Sequence, residues 1–273
     1  MAIADVNRVQ LFYEEVGAGP PTLVMHGGLG VDHTLYRSLD PLAAGLQLTY
    51  YDHRGNGRSS RPDEVELTME HWADDAAALA RHVAGADPVV VIGHSFGGFI
   101  AQEMAIRHGP AVRALILVAT TPGQLGVGET PAPEGPPMPG EFAALLQQMP
   151  ATDDEVALGM ARLAPAYLYE APAERLTSLM AGTVFSATAM RRGFEELASW
   201  SAVDRLPAVN VPTLVIAGRH DAFTSWPQAD RIAAQMPHAD VVVFERSGHF
   251  PWIEEPDTFF DTITSWLRAH DIE

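Results

Sequence analysis

The chain has 273 residues, of which 47% are hydrophobic and none is cysteine, so disulfides, thiolate metal sites and cysteine nucleophiles are excluded. All 17 basic residues are arginine, against 35 acidic residues, and the formal net charge is −18. The absence of lysine excludes Schiff-base catalysis, and so acidic a surface repels nucleic acid and anionic membranes.

The sequence shows neither a membrane span nor an export segment. No apolar run approaches the ~18–20 residues that a membrane-spanning helix needs. Residues 1–5 do not begin a basic region followed by an apolar stretch. We therefore expect a cytoplasmic protein with neither nucleic acid nor a membrane as a partner. We also expect a monomer or a homodimer, whose partner is a small-molecule substrate.

The predicted strands of the first part of the chain lead into glycine-rich loops. Residues 8–16 and 48–51 are predicted strands, and residues 22–25 form a short buried strand that ends at the run HGGLG, residues 26–30. Three glycines in four residues directly after a strand indicate a loop whose backbone approaches a ligand closely. Residues 69–84 then show the apolar spacing of an amphipathic helix.

A serine between a strand and a helix is the feature around which the rest is organised. Residues 89–92 are β-branched and apolar, the run Gly93-His94-Ser95-Phe96-Gly97 follows, and the next residues read as a helix. This is the G-x-S-x-G nucleophile elbow in its strand–turn–helix context. The sharp turn raises the Ser95 hydroxyl above the sheet edge. It also directs the Phe96 N–H, at the helix N-terminus, towards whatever Ser95 attacks.

The pattern changes between residues 122 and 203. Residues 122–140 are rich in Pro and Gly, and residues 141–200 look mostly helical without strand runs. We interpret 122–203 as a mainly helical cap inserted between two halves of a core, residues 1–121 and 204–273. The Pro/Gly-rich run is hypothesised to be a mobile entrance flap.

Strands resume after the predicted cap, at 211–218 and 241–244, with helices predicted around 226–235 and 256–270. Apolar strand runs that alternate with helices predict an α/β fold, in which a parallel sheet is covered by helices on both faces. Functional side chains of such sheets lie just past the carboxyl ends of the strands.

Three side chains at such strand ends suit nucleophilic catalysis. A serine nucleophile needs a base to take its proton, and the base needs an acid to fix its tautomer. His249 follows a strand in the last loop and is the candidate base. Asp221 follows the strand at 211–218 and is the candidate acid, because the alternative position after the strand at 112–119 holds only Thr120 and Thr121. The order Ser95, Asp221, His249 is the one expected for this elbow.

Together these motifs resemble the α/β-hydrolase fold family, with matching residues in both halves of the core. The resemblance implies a mostly parallel eight-stranded sheet, a Ser–His–Asp triad and an oxyanion hole. It places the hole at the N–H groups of Phe96 and Gly28, with Leu29 as the next candidate. It implies no cofactor, and no H-E-x-x-H or His-x-His spacing suggests a metal.

The predicted activity is that of a serine esterase. We expect a small, largely apolar ester, thioester or lactone as the substrate, because the cap and the loops around the triad are rich in apolar side chains. The candidate substrate contacts are Phe223, Phe250, Trp252, Trp200, Met138 and Phe142.

Three alternatives stay open at this stage. The HGG loop and the turn after residue 51 resemble those of proline iminopeptidases, although Leu29 stands where that subgroup usually has proline. Glu195 and Glu196 could imitate the acidic cap residues that hold a substrate's amino terminus there. A perhydrolase- or haloperoxidase-like activity on the same triad is the second alternative. The third is a non-enzymatic receptor or scaffold, which would be expected to have a damaged triad.

Overall fold

The computed structural model describes residues 1–123 and 139–272. Its centre is one eight-stranded sheet in the order β1-β2-β4-β3-β5-β6-β7-β8, which confirms the predicted fold class. The strands are β1 Ala2–Val6, β2 Val9–Val16, β3 Pro21–Met25, β4 Gln47–Tyr51, β5 Val89–His94, β6 Val112–Val118, β7 Thr213–Gly218 and β8 Ala239–Phe244.

Six of the strands, β3 to β8, run parallel, and β1 and β2 form an antiparallel hairpin at one side. Because the parallel strands point the same way, the loops after β3, β5, β7 and β8 meet at one edge of the sheet. The strand β1 was not identified in the sequence. This strand lies at the edge of the sheet and most of its residues are exposed, so it has few of the buried apolar residues by which a strand is recognised in a sequence.

Helices cover both faces of the sheet, and consecutive residues of β5 divide between the two cores. Val89 and Val91 pack with the face that contains Trp72, whereas Val90 and Ile92 pack with the opposite face. In the described residues the α-helices are α1 Met69–Ala84, α2 Phe96–Arg107, α3 Gly140–Gln147, α4 Asp153–Tyr167, α5 Ala173–Leu179, α6 Ala187–Leu197, α7 Pro227–Ala233, α8 Pro251–Glu254 and α9 Pro256–Ala269.

The helices α3 to α6 lie between β6 and β7 in the chain, where the cap was predicted. Hydrogen bonds tie this segment to the loop after β3. Ser186 N donates to Gly30 O at 2.9 Å, and Val184 N donates to the buried carboxylate of Asp32 at 3.0 Å. The exact limits of the cap, 122 and 203, remain a prediction. Most of the Pro/Gly-rich run lies outside the described residues. The predicted substrate contact Met138 and the hypothesised flap both fall on that part of the run.

None of the helices in residues 1–123 and 139–272 is both long enough and apolar enough to span a bilayer.

Candidate active site

Ser95 lies at the point where β5 passes into α2. Its backbone has φ 51° and ψ −116°, a conformation that residues with a side chain rarely adopt. A bond from Ser95 N to Val118 O, 2.9 Å long, holds it there. A Cβ on Gly93 would lie 2.6 Å from Gly97 O, and one on Gly97 would collide with Met25 O. Only glycine therefore fits at position 93, two residues before the serine, and at position 97, two residues after it.

His249 and Asp221 form a buried pair. The distance from His249 Nδ1 to Asp221 Oδ2 is 2.7 Å. Asp221 also accepts bonds from the backbone N–H groups of Phe223 (2.8 Å) and Thr224 (3.1 Å) and from the Thr224 hydroxyl (2.6 Å). Burial alone would raise the pKa of this carboxyl, but the facing imidazole and these hydrogen bonds hold the pKa below its ordinary value. An ionised Asp221 keeps the proton on Nδ1 and leaves Nε2 able to accept one.

The loop that carries His249 is fixed from two sides. His249 N donates to Tyr167 O at 2.8 Å, and His249 O lies 2.8 Å from Nε2 of His94. One residue earlier, Gly248 N donates to Glu254 at 2.6 Å. Since Tyr167 ends α4, the base is bonded directly to the inserted helices as well as to the sheet.

Residues of two elements, the loop after β3 and the start of α2, line the same pocket as Ser95. Gly28 has φ +72°, which favours glycine, and with Leu29 and Phe96 it lines the pocket that contains Ser95. In the described part of the chain the N–H groups of these three residues have no protein acceptor, whereas Gly27 N donates to the Tyr36 hydroxyl at 2.6 Å. Phe96 is also the first residue of α2, whose N-terminus favours negative charge.

A cavity opens above these groups, and its lining is almost wholly apolar. Ser95, His249 and Thr224 supply its polar side chains together with the Tyr167 hydroxyl. The predicted contacts Phe142 and Phe223 are part of the lining. The other lining residues are Gly28, Leu29, Phe96, Phe99, Leu145, Met160, Leu163, Met190, Phe194 and Leu197.

The sequence profile of the alpha/beta hydrolase fold family matches residues 20–256. The chain belongs to this family. It is 25% identical to a proline iminopeptidase of Saccharolobus solfataricus, over 97% of this chain and 90% of the relative. It is 26% identical to a pimeloyl-acyl-carrier-protein methyl ester esterase of Aeromonas hydrophila, over 93% and 98%. Its structure resembles a thermophilic esterase from Thermogutta terrifontis, with TM-score 0.74, 25% identity and coverage of 96% and 94%.

Three of the predicted substrate contacts of this alpha/beta hydrolase do not line the cavity. Trp200 packs edge-on against Phe99 and donates its indole N–H to Glu103 at 2.8 Å. Phe250 packs against the His94 ring, with centroids 4.8 Å apart. Trp252 lies beneath the site and donates to Ser38 at 2.8 Å. These predictions are corrected: all three side chains are buried in the core, Trp200 in the segment after α6, and Phe250 and Trp252 at the start of α8.

The sequence did not single out the cavity residues Met160, Leu163 and Phe194, which lie on α4 and α6. Their apolar spacing is that of any amphipathic helix packed on a core, and it does not distinguish a packed face from a pocket wall. The missing information is the space between the helices and the sheet, which only the structure supplies.

The polar side chains of the HGG loop and of the turn after β4 form hydrogen bonds within the protein. Asp52 accepts bonds from His33 and from Arg58 N, and Arg54 forms a fully buried bidentate pair with Asp75 at 2.5 and 2.6 Å. The His26 ring accepts from the backbone N–H of the turn that follows β4. These side chains brace the loops around the site. Within the described residues, no group of three or more His, Asp or Glu side chains is placed to hold a metal ion.

Proposed function

We propose that the chain is a serine hydrolase that cleaves a small, largely apolar carboxylic ester, thioester or lactone through an acyl-enzyme intermediate. The observation that carries this proposal is the shared pocket: Ser95 and His249 lie in its wall, and nearly all the other lining side chains are apolar. An apolar cavity with a few convergent polar groups is the usual form of a small-molecule site.

In the proposed reaction Ser95 Oγ attacks the acyl carbon while His249 Nε2 takes the hydroxyl proton. Asp221 keeps the imidazole in the required tautomer and stabilises the imidazolium that forms. The N–H groups of Gly28 and Phe96 bind the oxyanion, and one such donor typically lowers the barrier by about 3 kcal/mol. His249 then protonates the leaving group, and a water molecule activated by the same base releases the acid and restores Ser95.

The charge of the lining supports a neutral substrate. Among the described residues the cavity wall contains no Asp, Glu or Arg side chain. The Asp221 carboxylate lies behind His249 and is 2% exposed, with both of its oxygens already hydrogen-bonded. A charged substrate group placed in this cavity would lose its hydration without gaining a partner there.

A proline iminopeptidase is the second candidate, because curated relatives with that activity align over nearly the whole chain. Such an enzyme has to hold a free amino terminus, for which a carboxylate is the natural partner. The predicted acidic pair does not supply it. Glu195 is paired with Arg192, and Glu196 is bonded to Arg192 and to Met69 N; neither lines the cavity.

Replacing Ser95 with Ala tests the mechanism. We expect loss of p-nitrophenyl ester hydrolysis and of fluorophosphonate labelling, because the nucleophile is removed, with an unchanged circular dichroism spectrum. The matched control is Ser225→Ala, which should leave turnover unchanged because it removes a buried hydroxyl that has no hydrogen-bond partner within residues 1–123 and 139–272. Retained turnover in the Ser95 variant would refute the mechanism. Turnover of proline β-naphthylamide without turnover of any short-chain ester would favour the second candidate.

A further inference from the structure

A buried chain of hydrogen bonds joins the loop after β3 to the loop that carries His249. Gly27 N lies 2.6 Å from the Tyr36 hydroxyl, which lies 2.7 Å from His94 Nδ1, and His94 Nε2 lies 2.8 Å from His249 O. Tyr36 is 1% exposed and His94 is 3% exposed. The chain therefore runs through the protein interior, from the residue before Gly28 to the backbone of the proposed base.

The direction of each bond in this chain is determined. A carbonyl oxygen only accepts, so His94 Nε2 must carry the proton that is donated to His249 O. Burial lowers the pKa of His94 well below its ordinary value, and the neighbouring His249 lowers it further, so the ring is neutral and Nδ1 accepts. The Tyr36 hydroxyl must then donate to Nδ1, and its oxygen accepts from Gly27 N–H. Every donor and acceptor is satisfied in one arrangement.

The two central side chains are also held by their surroundings. Tyr36 belongs to a 3₁₀ helix, Thr34–Ala44, and its ring packs against Trp252 with centroids 5.9 Å apart. The His94 ring meets Trp252 edge-on at 4.8 Å and meets Phe250 at the same distance. Because aromatic rings surround them, neither Tyr36 nor His94 can change rotamer to relieve a displacement of either loop.

We propose that Tyr36 and His94 are positioning residues that hold the Gly28 N–H and the His249 ring at a fixed separation. This inference rests on the proposed function, in which Gly28 binds the oxyanion and His249 is the base. The two groups belong to loops after different strands, and they have to act on the same acyl group. Misplacement of a catalytic group by about 1 Å can cost about 100-fold in rate, so a rigid bridge between the loops acts directly on the chemical step.

Tyr36→Phe is the first test, because it removes the hydroxyl and keeps the ring. Tyr51→Phe is the matched control, since the Tyr51 hydroxyl is equally buried and has no hydrogen-bond partner in the described part of the chain. We expect kcat for a p-nitrophenyl ester to fall about 10- to 100-fold in the Tyr36 variant, with little change in KM. Affinity for a trifluoromethyl ketone, which forms a tetrahedral adduct, should fall by the same factor as kcat/KM. The control should match the wild type in all three quantities.

His94→Gln supplies a second, independent variant. Its amide can reach His249 O in place of Nε2, but it offers no acceptor at the position of Nδ1, so Tyr36 loses its partner. If the two residues act as one bridge, the double variant should be no slower than the slower single variant. Rate losses that multiply in the double variant would overturn the proposal, as would a Tyr36→Phe enzyme with wild-type kcat.

Hydrogen exchange separates a failure of the bridge from a failure of the proposed function. The Gly27 amide proton should exchange slowly in the wild type and in Tyr51→Phe, and faster in Tyr36→Phe, because its acceptor is lost. This readout needs no substrate. If the wild type hydrolyses no ester, the proposed function is wrong, and exchange at Gly27 still decides whether Tyr36 holds the loop. Equal exchange in all three proteins would overturn the bridge itself.

Discussion

Replacing Asp221 with Asn is expected to lock His249 in the unproductive tautomer. Oδ1 of Asp221 accepts two backbone N–H groups, from Phe223 and Thr224, so the carbonyl oxygen of the asparagine must take that position. The amide nitrogen then occupies the place of Oδ2, which lies 2.7 Å from His249 Nδ1. Because this nitrogen donates, Nδ1 has to accept. The proton moves to Nε2, the atom that takes the proton from Ser95 in the proposed reaction.

The expected loss follows from this geometry. The corresponding Asp-to-Asn change in a Ser–His–Asp protease lowers kcat by about 10⁴-fold, which is about 5 kcal/mol of barrier. The same size of loss is expected here, because the hydrogen bonds to Oδ1 dictate the orientation of the amide. Thr224→Val is the matched control. It removes the hydroxyl that donates to Oδ2 at 2.6 Å but leaves a carboxylate facing Nδ1, so a loss below about tenfold is expected.

The assay is kcat/KM for p-nitrophenyl butyrate between about pH 6 and pH 9, so that a change in the pH dependence is not mistaken for a loss of rate. Thermal unfolding is followed in parallel, since asparagine has nearly the same shape as aspartate and the fold should persist. An Asp221→Asn enzyme within tenfold of the wild type, or a Thr224→Val enzyme as impaired as the asparagine variant, would show that the tautomer of His249 does not limit the reaction.

Two further predictions concern stability and specificity. Burial lowers the pKa of His53 and His94 well below the ordinary value. The unfolded chain therefore binds protons below about pH 6.5 that the native protein does not bind. The free energy of unfolding, measured by urea titration, should fall by about 3 kcal/mol as the pH is lowered from about 7.5 to about 5.5. A free energy of unfolding that stays constant over this interval would contradict the prediction. Phe142 lines the cavity and packs edge-on against Phe223 at 5.3 Å. Phe142→Ala should raise kcat/KM for an octanoyl ester relative to an acetyl ester by about tenfold, and an unchanged ratio would remove this side chain from the acyl pocket.

The positions of Ser95, Asp221 and His249 could be predicted because backbone topology determines them. Each follows a strand of one parallel sheet, so their arrival at one edge is a consequence of strand direction. The elbow glycines carry a similar backbone constraint, since a Cβ on Gly97 would collide with Met25 O and one on Gly93 would lie too close to Gly97 O. The helix α1 was predicted at the observed bounds, Met69–Ala84, because its apolar spacing is regular.

Aromatic residues near the motifs show where this reasoning stops. Phe250 and Trp252 lie one and three residues after His249, and this proximity in sequence favoured a place in the pocket. The short helix α8, Pro251–Glu254, instead turns both side chains into the core, where Trp252 contacts Tyr36 and Ser38. An aromatic side chain has the same sequence signal in a core as in a cavity wall, because both environments exclude water.

Tyr36 could not be found from the sequence for a different reason. Its segment is a 3₁₀ helix with a period near three, which gives neither the helical nor the strand pattern that sequence reasoning uses. Its partners lie 9 residues before it and 58 residues after it. What identifies it is the direction of its hydrogen bonds, because one hydroxyl has to accept from Gly27 and donate to His94 at once. A phenylalanine would fill the same volume, so the requirement for tyrosine at this position lies in the bridge and not in packing. Tyr51 gives the comparison that separates the two, because its hydroxyl is equally buried, in the core on the other face of the sheet, and has no hydrogen-bond partner among the described residues.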